Sequence, residues 1–133
     1  MTPFGEKVRE LRRRRGITLK QLAGALELSP AYLSALEHGH RGRPTPAFIV
    51  QICEYFNLIW DDYEEMHRLA RLSHPRVVVD TRGLSPAATE LANILAEHIG
   101  ILDDATVEAL VKQLKSAAGA IAPAKPRRGP RAG

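Results

Sequence analysis

The sequence has little cysteine, few aromatic residues and no long apolar run, and each scarcity excludes a class of protein. The single cysteine, Cys53, cannot form an intramolecular disulfide, which favours a reducing compartment. Because no run of 18 apolar residues and no signal-peptide pattern is present, we expect a soluble, cytoplasmic protein. Aromatic residues make up only 5% of the chain, so the core must consist mainly of Leu, Ile, Val and Ala. Leu and Ala favour helices and strand-favouring stretches are scarce, which predicts an all-α fold.

Patterns typical of an enzyme or a metal centre are also missing. The sequence contains no Gly-rich phosphate loop, no Ser-His-Asp arrangement and no paired acids in a plausible cleft. The five histidines have no Cys or carboxylate partner at metal-binding spacing. Cys53 lies on the apolar side of a predicted helix, where a core hydrophobe is expected rather than a redox sensor. We therefore expect no catalytic activity, no metal and no cofactor.

Charge is unevenly distributed along the 133 residues, although the formal net charge is only +4. Residues 1–45 carry nine Lys/Arg against four Asp/Glu, and residues 122–133 carry four Lys/Arg and no acid. The region between them is mildly acidic. Basic patches attract nucleic-acid phosphates by counterion release, although solubility alone would explain this composition equally well.

Capping patterns divide the first 73 residues into five predicted helices. A Ser or Thr followed by Pro favours a helix start, since the hydroxyl caps the helix and proline fits the first helical position. Thr18 and Gln21 form a capping box, flanked by the apolar pair Ile17 and Leu22. Two short, individually capped helices about three residues apart are the layout of a helix-turn-helix. The predicted starts are Thr2-Pro3, Thr18, Ser29-Pro30, Thr45-Pro46 and the neighbourhood of Trp60.

The rest of the chain predicts a linker, two helices and a tail. His74-Pro75 interrupts the helical pattern, and the three valines 77–79 form either an extended connector or an edge strand. Helices are then predicted over 84–102 and 103–118 from apolar residues at helical spacing. The composition after residue 121 is typical of a disordered basic tail. The expected divisions are a helix-turn-helix domain at 1–73, a linker at 74–83, a helical C-terminal region at 84–121 and the tail at 122–133.

A specific motif covers the second and third predicted helices. It consists of Gly-Ile-Thr-Leu-Lys-Gln-Leu-Ala at 16–23 and Leu-Ser-Pro-Ala-Tyr-Leu-Ser-Ala-Leu-Glu-His-Gly at 28–39. Over roughly residues 4–62 the chain resembles the XRE family, the Cro/repressor-type helix-turn-helix regulators of bacteria. The resemblance implies a five-helix domain whose third helix enters the major groove of double-stranded DNA, while the second lies near the backbone.

The resemblance also assigns contacts to individual residues. Side chains of the third helix would lie at or near base edges, whereas the start of the second helix and the loop after the third would approach phosphates. Ala31 and Ala35 cannot hydrogen-bond a base but can touch a thymine methyl. Glu37 is expected to bond inside the domain. The implied DNA-binding residues are Lys20, Gln21, Ser29, Ala31, Tyr32, Ser34, Ala35, His38, Arg41 and Arg43.

Two positions depart from the family's pattern. Glu27 occupies the turn between the second and third helices, where glycine is frequent, so a left-handed backbone there would cost energy. Leu19 occupies the first position of the second helix, where many members carry a phosphate-binding Gln. The phosphate contact of that Gln is either absent here or made by Lys20. Specificity for the DNA sequence would depend on Tyr32, Ser34 and DNA shape.

The C-terminal helices are expected to join two copies into a homodimer, because one small helix-turn-helix domain contacts few base pairs. Two domains on a two-fold axis would bind half-sites about 34 Å apart. The alternative is that these helices fold back on the first domain. The residues expected at the centre of the dimer are Leu91, Leu95, Ile99, Val107, Leu110, Val111 and Leu114.

Three functions stay open from the sequence. The favoured one is a homodimeric transcription regulator, a repressor, on an inverted-repeat operator. The others are an antitoxin-like protein whose C-terminal half neutralises a protein partner, and a protein-interaction module that has lost DNA binding. The acidic residues at 61–65 form a solvated face or bind a basic partner.

Overall fold

The computed structural model describes residues 1–119, whose regular secondary structure is entirely helical, and the chain divides into two compact units. The first unit, Met1–Val77, contains five helices. The second begins at Val78, and its described part contains two helices and a 3-10 helix, Ile99–Ile101. The all-α prediction is confirmed, while the predicted basic tail lies outside the described residues. The helices are α1 (Pro3–Arg15), α2 (Leu19–Ala25), α3 (Pro30–Glu37), α4 (Pro46–Tyr55), α5 (Asp61–Arg71), α6 (Pro86–His98) and α7 (Asp104–Ala118).

Helices α1, α3 and α4 begin with the predicted pair of hydroxyl residue and proline. Thr2, Ser29 and Thr45 each accept a hydrogen bond from the backbone N–H three residues later. Helix α2 begins with the predicted capping box, in which Thr18 Oγ1 accepts from the N–H of Gln21 at 3.0 Å. The side chain of Gln21 accepts in turn from the N–H of Thr18 at 2.8 Å. These bonds satisfy N–H groups that have no partner within the helix, so the helix starts are determined locally.

The turn between α2 and α3 closes through a left-handed residue that is not glycine. The N–H of Leu28 donates to the carbonyl of Ala23 at 2.8 Å, as in the common Schellman ending of a helix. Between them Glu27 has φ 58°, and Asn57 has φ 54° at the equivalent place after α4. Asn tolerates this conformation, whereas Glu27 bears a cost of about 1 kcal/mol that glycine would avoid.

One apolar core holds α1 to α5 together. The contributing positions recur every three or four residues along each helix, so each helix buries one side. Fully burying a Leu, Ile or Phe side chain contributes about 1.5–3 kcal/mol. The core residues are Phe4, Val8, Leu11, Leu22, Ala23, Leu33, Phe48, Ile49, Ile52, Cys53, Phe56, Met66 and Ala70.

Helix α1 crosses the end of α3 at very short range. The N–H and the hydroxyl of Thr2 both donate to the carbonyl of Glu37, at 3.1 and 3.3 Å. A Cβ on Gly5 would lie 1.9 Å from that carbonyl oxygen, so only glycine fits there. The hydroxyl of Ser73, which is 2% exposed, accepts from the N–H of Phe4 at 2.8 Å. The end of α5 and the end of α3 are therefore both fastened to the first turn of α1.

In the second unit, α6 and α7 have no buried residue. The prediction of one helix over 84–102 is wrong at its C-terminal end, because α6 stops at His98 and the 3-10 helix follows. Gly100 disfavours a continued helix, and the side chain of Asp103 caps the start of α7. The valines 77–79 belong to no strand, so they form a connector. Within residues 1–119, none of the helices combines the length and apolarity needed to span a membrane.

Candidate nucleic-acid interface

The inner sides of α2 and α3 are fixed in the core. Leu22 and Ala23 of α2 and Leu33 of α3 are completely buried. Because a helix turns once in 3.6 residues, burial of Leu33 on one side of α3 directs the residues on the opposite side outward. The helix-turn-helix therefore presents one defined side of α3 to solvent.

Glu37 at the end of α3 ties this helix to α1 through a bidentate ion pair. Its carboxylate oxygens accept from Nε and Nη2 of Arg12 at 3.2 and 3.3 Å. Only 4% of the Glu37 side chain and 13% of the Arg12 side chain are exposed. Paired charge-assisted hydrogen bonds of this kind fix orientation as well as adding stability. Glu37 therefore bonds inside the domain, as expected from the family resemblance.

The outward side of α3 carries four of the residues predicted to approach bases. Ala31 is exposed, Tyr32 is 37% exposed, and Ser34 and Ala35 are half-buried. Ser29 is exposed, but its hydroxyl accepts from the N–H of Tyr32 at 3.1 Å. Ser29 therefore acts first as the cap of the helix.

The loop after α3 brings Arg41 over the ring of Tyr32. The guanidinium carbon lies 5.0 Å from the ring centroid, within range of a cation–π interaction. Gly39 directs this loop, since it has φ 79° and an added Cβ would lie 2.7 Å from Thr2 Cγ2. Two residues predicted separately, one on the helix and one in the loop, thus form a single exposed pair.

Three more exposed residues, His38, His40 and Arg43, belong to the same loop. His38 is exposed, and its Nδ1 lies 2.9 Å from the carbonyl oxygen of Ser34. Its ring centroid is 6.0 Å from that of His40, which is also exposed and which the sequence analysis missed. Because His40 lies between His38 and Arg41 in one loop, its position alone would have placed it among the predicted DNA-binding residues. Arg43 is exposed as well.

At the start of α2 the predicted phosphate contacts are only partly available. Lys20 is exposed. The carbonyl oxygen of Gln21 is used in the capping box, which leaves its amide N–H groups to donate. Leu19 packs partly buried against the core, so this departure from the family pattern replaces a polar contact by an apolar one.

Two of the four arginines at 12–15 make contacts to other helices of the domain. Besides Arg12, Arg14 pairs with Glu10 on the same helix. Arg15 donates to the carbonyl of Tyr55 at 2.9 Å and lies 5.4 Å from the centroid of that ring. The contacts of Arg12 and Arg15 fasten the end of α1 to α3 and α4, so these two arginines have a role inside the domain.

The second unit contains an apolar groove between α6 and α7 with a volume of about 490 Å³. Four of the seven residues predicted for dimerisation line it. The other three, Ile99, Val107 and Val111, are not among its lining residues, and Ile99 lies in the 3-10 helix. The lining residues are Leu91, Ile94, Leu95, His98, Leu102, Leu110, Gln113, Leu114 and Ala117. In residues 1–119, no group of three His, Cys, Asp or Glu side chains is placed to hold a metal ion.

Comparison with known proteins finds a family match within the first unit. Residues 3–66 match a family model described as a helix-turn-helix domain. The chain is 40% identical over 62 residues to the uncharacterized HTH-type transcriptional regulator RghRB of Bacillus subtilis, covering 47% of this chain and 45% of the relative. It is 39% identical over 61 residues to the HTH-type transcriptional repressor RghR of the same organism, covering 46% and 45%. No solved structure matches the chain significantly.

A third relative is matched over more of this chain. The HTH-type transcriptional regulator RamB of Mycobacterium tuberculosis is 32% identical over 102 residues, which are 75% of this chain and 21% of the relative. The chain spans less than half the length of the Bacillus relatives and a smaller part of RamB. The matched family region contains α1 to α4, the capping box and the exposed side of α3. Residues 3–66 therefore form an XRE-like helix-turn-helix domain, similar to the domains of the HTH-type transcriptional regulators RghRB and RghR.

Proposed function

We propose that this chain binds double-stranded DNA sequence-specifically through α3 and thereby regulates transcription. The observation that carries the proposal is the exposed pair formed by Tyr32 of α3 and Arg41 of the loop that follows it. Leu33 and Glu37 hold the opposite side of the helix rigidly. A helix fixed on one side and exposed on the other has the shape that the major groove admits.

The contacts divide between bases and phosphates. Tyr32 and Ser34 face base edges, while Ala31 and Ala35 contact thymine methyl groups. The phosphates on either side are bound by cationic and polar groups, which set the register of the helix in the groove. These groups are Lys20, Gln21, His38, Arg41 and Arg43.

The regulator acts as a homodimer in the cytoplasm and represses transcription from an inverted-repeat operator. The apolar groove between α6 and α7 supports the homodimer, because a helical pair with no buried residue gains stability when a second copy covers it. A relative named as a repressor supports the direction of regulation. Two domains on a two-fold axis would contact half-sites about 34 Å apart.

Fluorescence anisotropy against the DNA upstream of the protein's own gene, with a scrambled duplex as control, tests DNA binding. Tight, salt-sensitive binding to the first duplex and weaker binding to the second are expected. Arg41→Gln should make the slope of log K against log salt shallower by about 0.9, the value of one phosphate contact. Lys112→Gln on exposed α7 removes the same charge and should leave the slope unchanged.

Three outcomes would contradict parts of the proposal. Equal slopes for the two variants would show that Arg41 makes no phosphate contact. Equal affinity for both duplexes would show that binding is not specific for the upstream DNA. A folded protein that binds neither duplex would instead favour a protein-interaction module.

Sedimentation equilibrium at tens of micromolar tests the homodimer. We expect a dimer for the unmodified chain and a monomer for Leu95→Glu, which places a charge in the groove. The matched control is Glu97→Lys, since Glu97 is 72% exposed and does not line the groove. A monomeric unmodified chain would show that the helices do not pair between copies.

A further inference from the structure

The single tryptophan of the chain, Trp60, lies on the surface of the first unit rather than in its core. It is 82% exposed, beside Ile59 at 64% and Tyr63 at 37%. Large apolar side chains exposed side by side mark interaction sites, and Trp is prominent among the residues that dominate binding energy at interfaces. We call this surface the Trp60 patch, which consists of Ile59, Trp60, Asp61, Asp62, Tyr63 and Glu64.

The backbone holds Trp60 in place at the start of α5. The N–H of Asp62 donates to the carbonyl of Ile59 at 3.2 Å and closes a four-residue turn. Trp60 has φ 54° and ψ −122°, which is the conformation of the first central residue of a type II′ turn. That position favours glycine, so a large side chain there is unusual on structural grounds alone. The turn presents the indole to solvent as part of an ordered segment.

The charge of the patch indicates which kind of partner it fits. Asp61, Asp62 and Glu64 are exposed, and within residues 1–119 no Lys, Arg or His forms an ion pair with them. Two copies of this patch would bring like charges together, which disfavours self-association through it. A partner that combines positive charge with groups that stack on an indole ring is therefore favoured.

The chain itself contains a segment with this chemistry. Residues 122–133 hold four Lys/Arg, three Pro and no acidic residue. Arginine stacks on aromatic faces and pairs bidentately with carboxylates, so one residue type can engage both the indole and the acids. We propose that the basic segment 122–133 of one copy binds the Trp60 patch of a second copy. This inference does not depend on DNA binding.

Because Trp60 is the only tryptophan, its fluorescence reports the patch directly in the full chain. In the DNA-free protein at low salt, we expect slower acrylamide quenching and a shorter emission wavelength than in a tail variant. That variant carries Lys125→Gln, Arg127→Gln, Arg128→Gln and Arg131→Gln. The difference should disappear between about 0.01 M and 1 M salt, as the Debye length falls from about 30 to 3 Å.

Three further samples separate the tail from unspecific charge effects. Lys112→Gln with Lys115→Gln removes charge from exposed α7 and should quench like the unmodified chain. Asp61→Asn with Asp62→Asn should quench like the tail variant. A peptide of residues 120–133 added to the tail variant should restore protection, whereas its Gln-substituted form should not.

Because a second copy supplies the tail, protection of Trp60 should fall as the protein is diluted. Protection that is independent of concentration would overturn the proposal. Equal quenching of the unmodified chain and the tail variant at low salt would overturn the proposal. Peptide that fails to protect Trp60 of the tail variant would overturn it as well. A folded structure in every variant is verified by circular dichroism at 222 nm.

Discussion

Replacing Gly5 by alanine is expected to destabilise the first unit by separating α1 from α3. The new Cβ would lie 1.9 Å from the carbonyl oxygen of Glu37, where ordinary contact begins at 3.4 Å. The atoms in the way are backbone atoms of Glu37, so no side-chain rotation relieves the overlap. The helices must move apart, and the two bonds from Thr2 to the same carbonyl, now 3.1 and 3.3 Å, would break.

The magnitude follows from three contributions. Two lost hydrogen bonds cost about 1 kcal/mol each. Overpacking of a close helix contact costs about 1–3 kcal/mol. Alanine returns about 1 kcal/mol through its higher helix propensity. The free energy of unfolding of Gly5→Ala should therefore fall by about 2–4 kcal/mol, the sum of these values.

Gly24→Ala on α2 is the matched control. It is the same substitution in a helix, but nothing lies within 4 Å of the added Cβ. This variant should be more stable than the unmodified chain by about 0.5–1 kcal/mol. Urea unfolding followed at 222 nm measures both variants. If Gly5→Ala unfolds at the same urea concentration as Gly24→Ala, the close crossing of α1 and α3 is refuted.

Three further measurements test other contacts. Glu37→Gln should lower the free energy of unfolding by about 1–3 kcal/mol, because it leaves the largely buried Arg12 without its counter-charge; an unchanged urea midpoint would contradict this. The pKa of Asp103 lies below its ordinary 3.8 because Thr106 donates to the carboxylate, so the cap stabilises α7 above that pH and is lost as pH falls through the lowered pKa. An NMR titration checks this, and a pKa at or above 3.8 would be inconsistent with the cap. Burial raises the pKa of the Cys53 thiol, so a neutral alkylating reagent should label it only after unfolding, which mass spectrometry would show.

The order of the helices and their starting points follow from the sequence, because these features depend on residues three or four positions apart. The Thr18–Gln21 capping box and the Ser29-Pro30 start lie where the sequence predicts them. With the helix-turn-helix located, the family motif supplied candidates for the exposed side of α3.

Other features depend on which side chains meet after folding, and spacing along the chain does not reveal them. The contact of Arg41 with Tyr32, the internal bonds of the arginine run and the crossing at Gly5 join residues on different elements. The end of α6 was misplaced because apolar spacing continued past His98 while Gly100 and the cap of the next helix ended it. Trp60 is a large apolar residue of the kind expected in a core, but the turn before α5 places it in solvent. Its burial depends on how all five helices pack together.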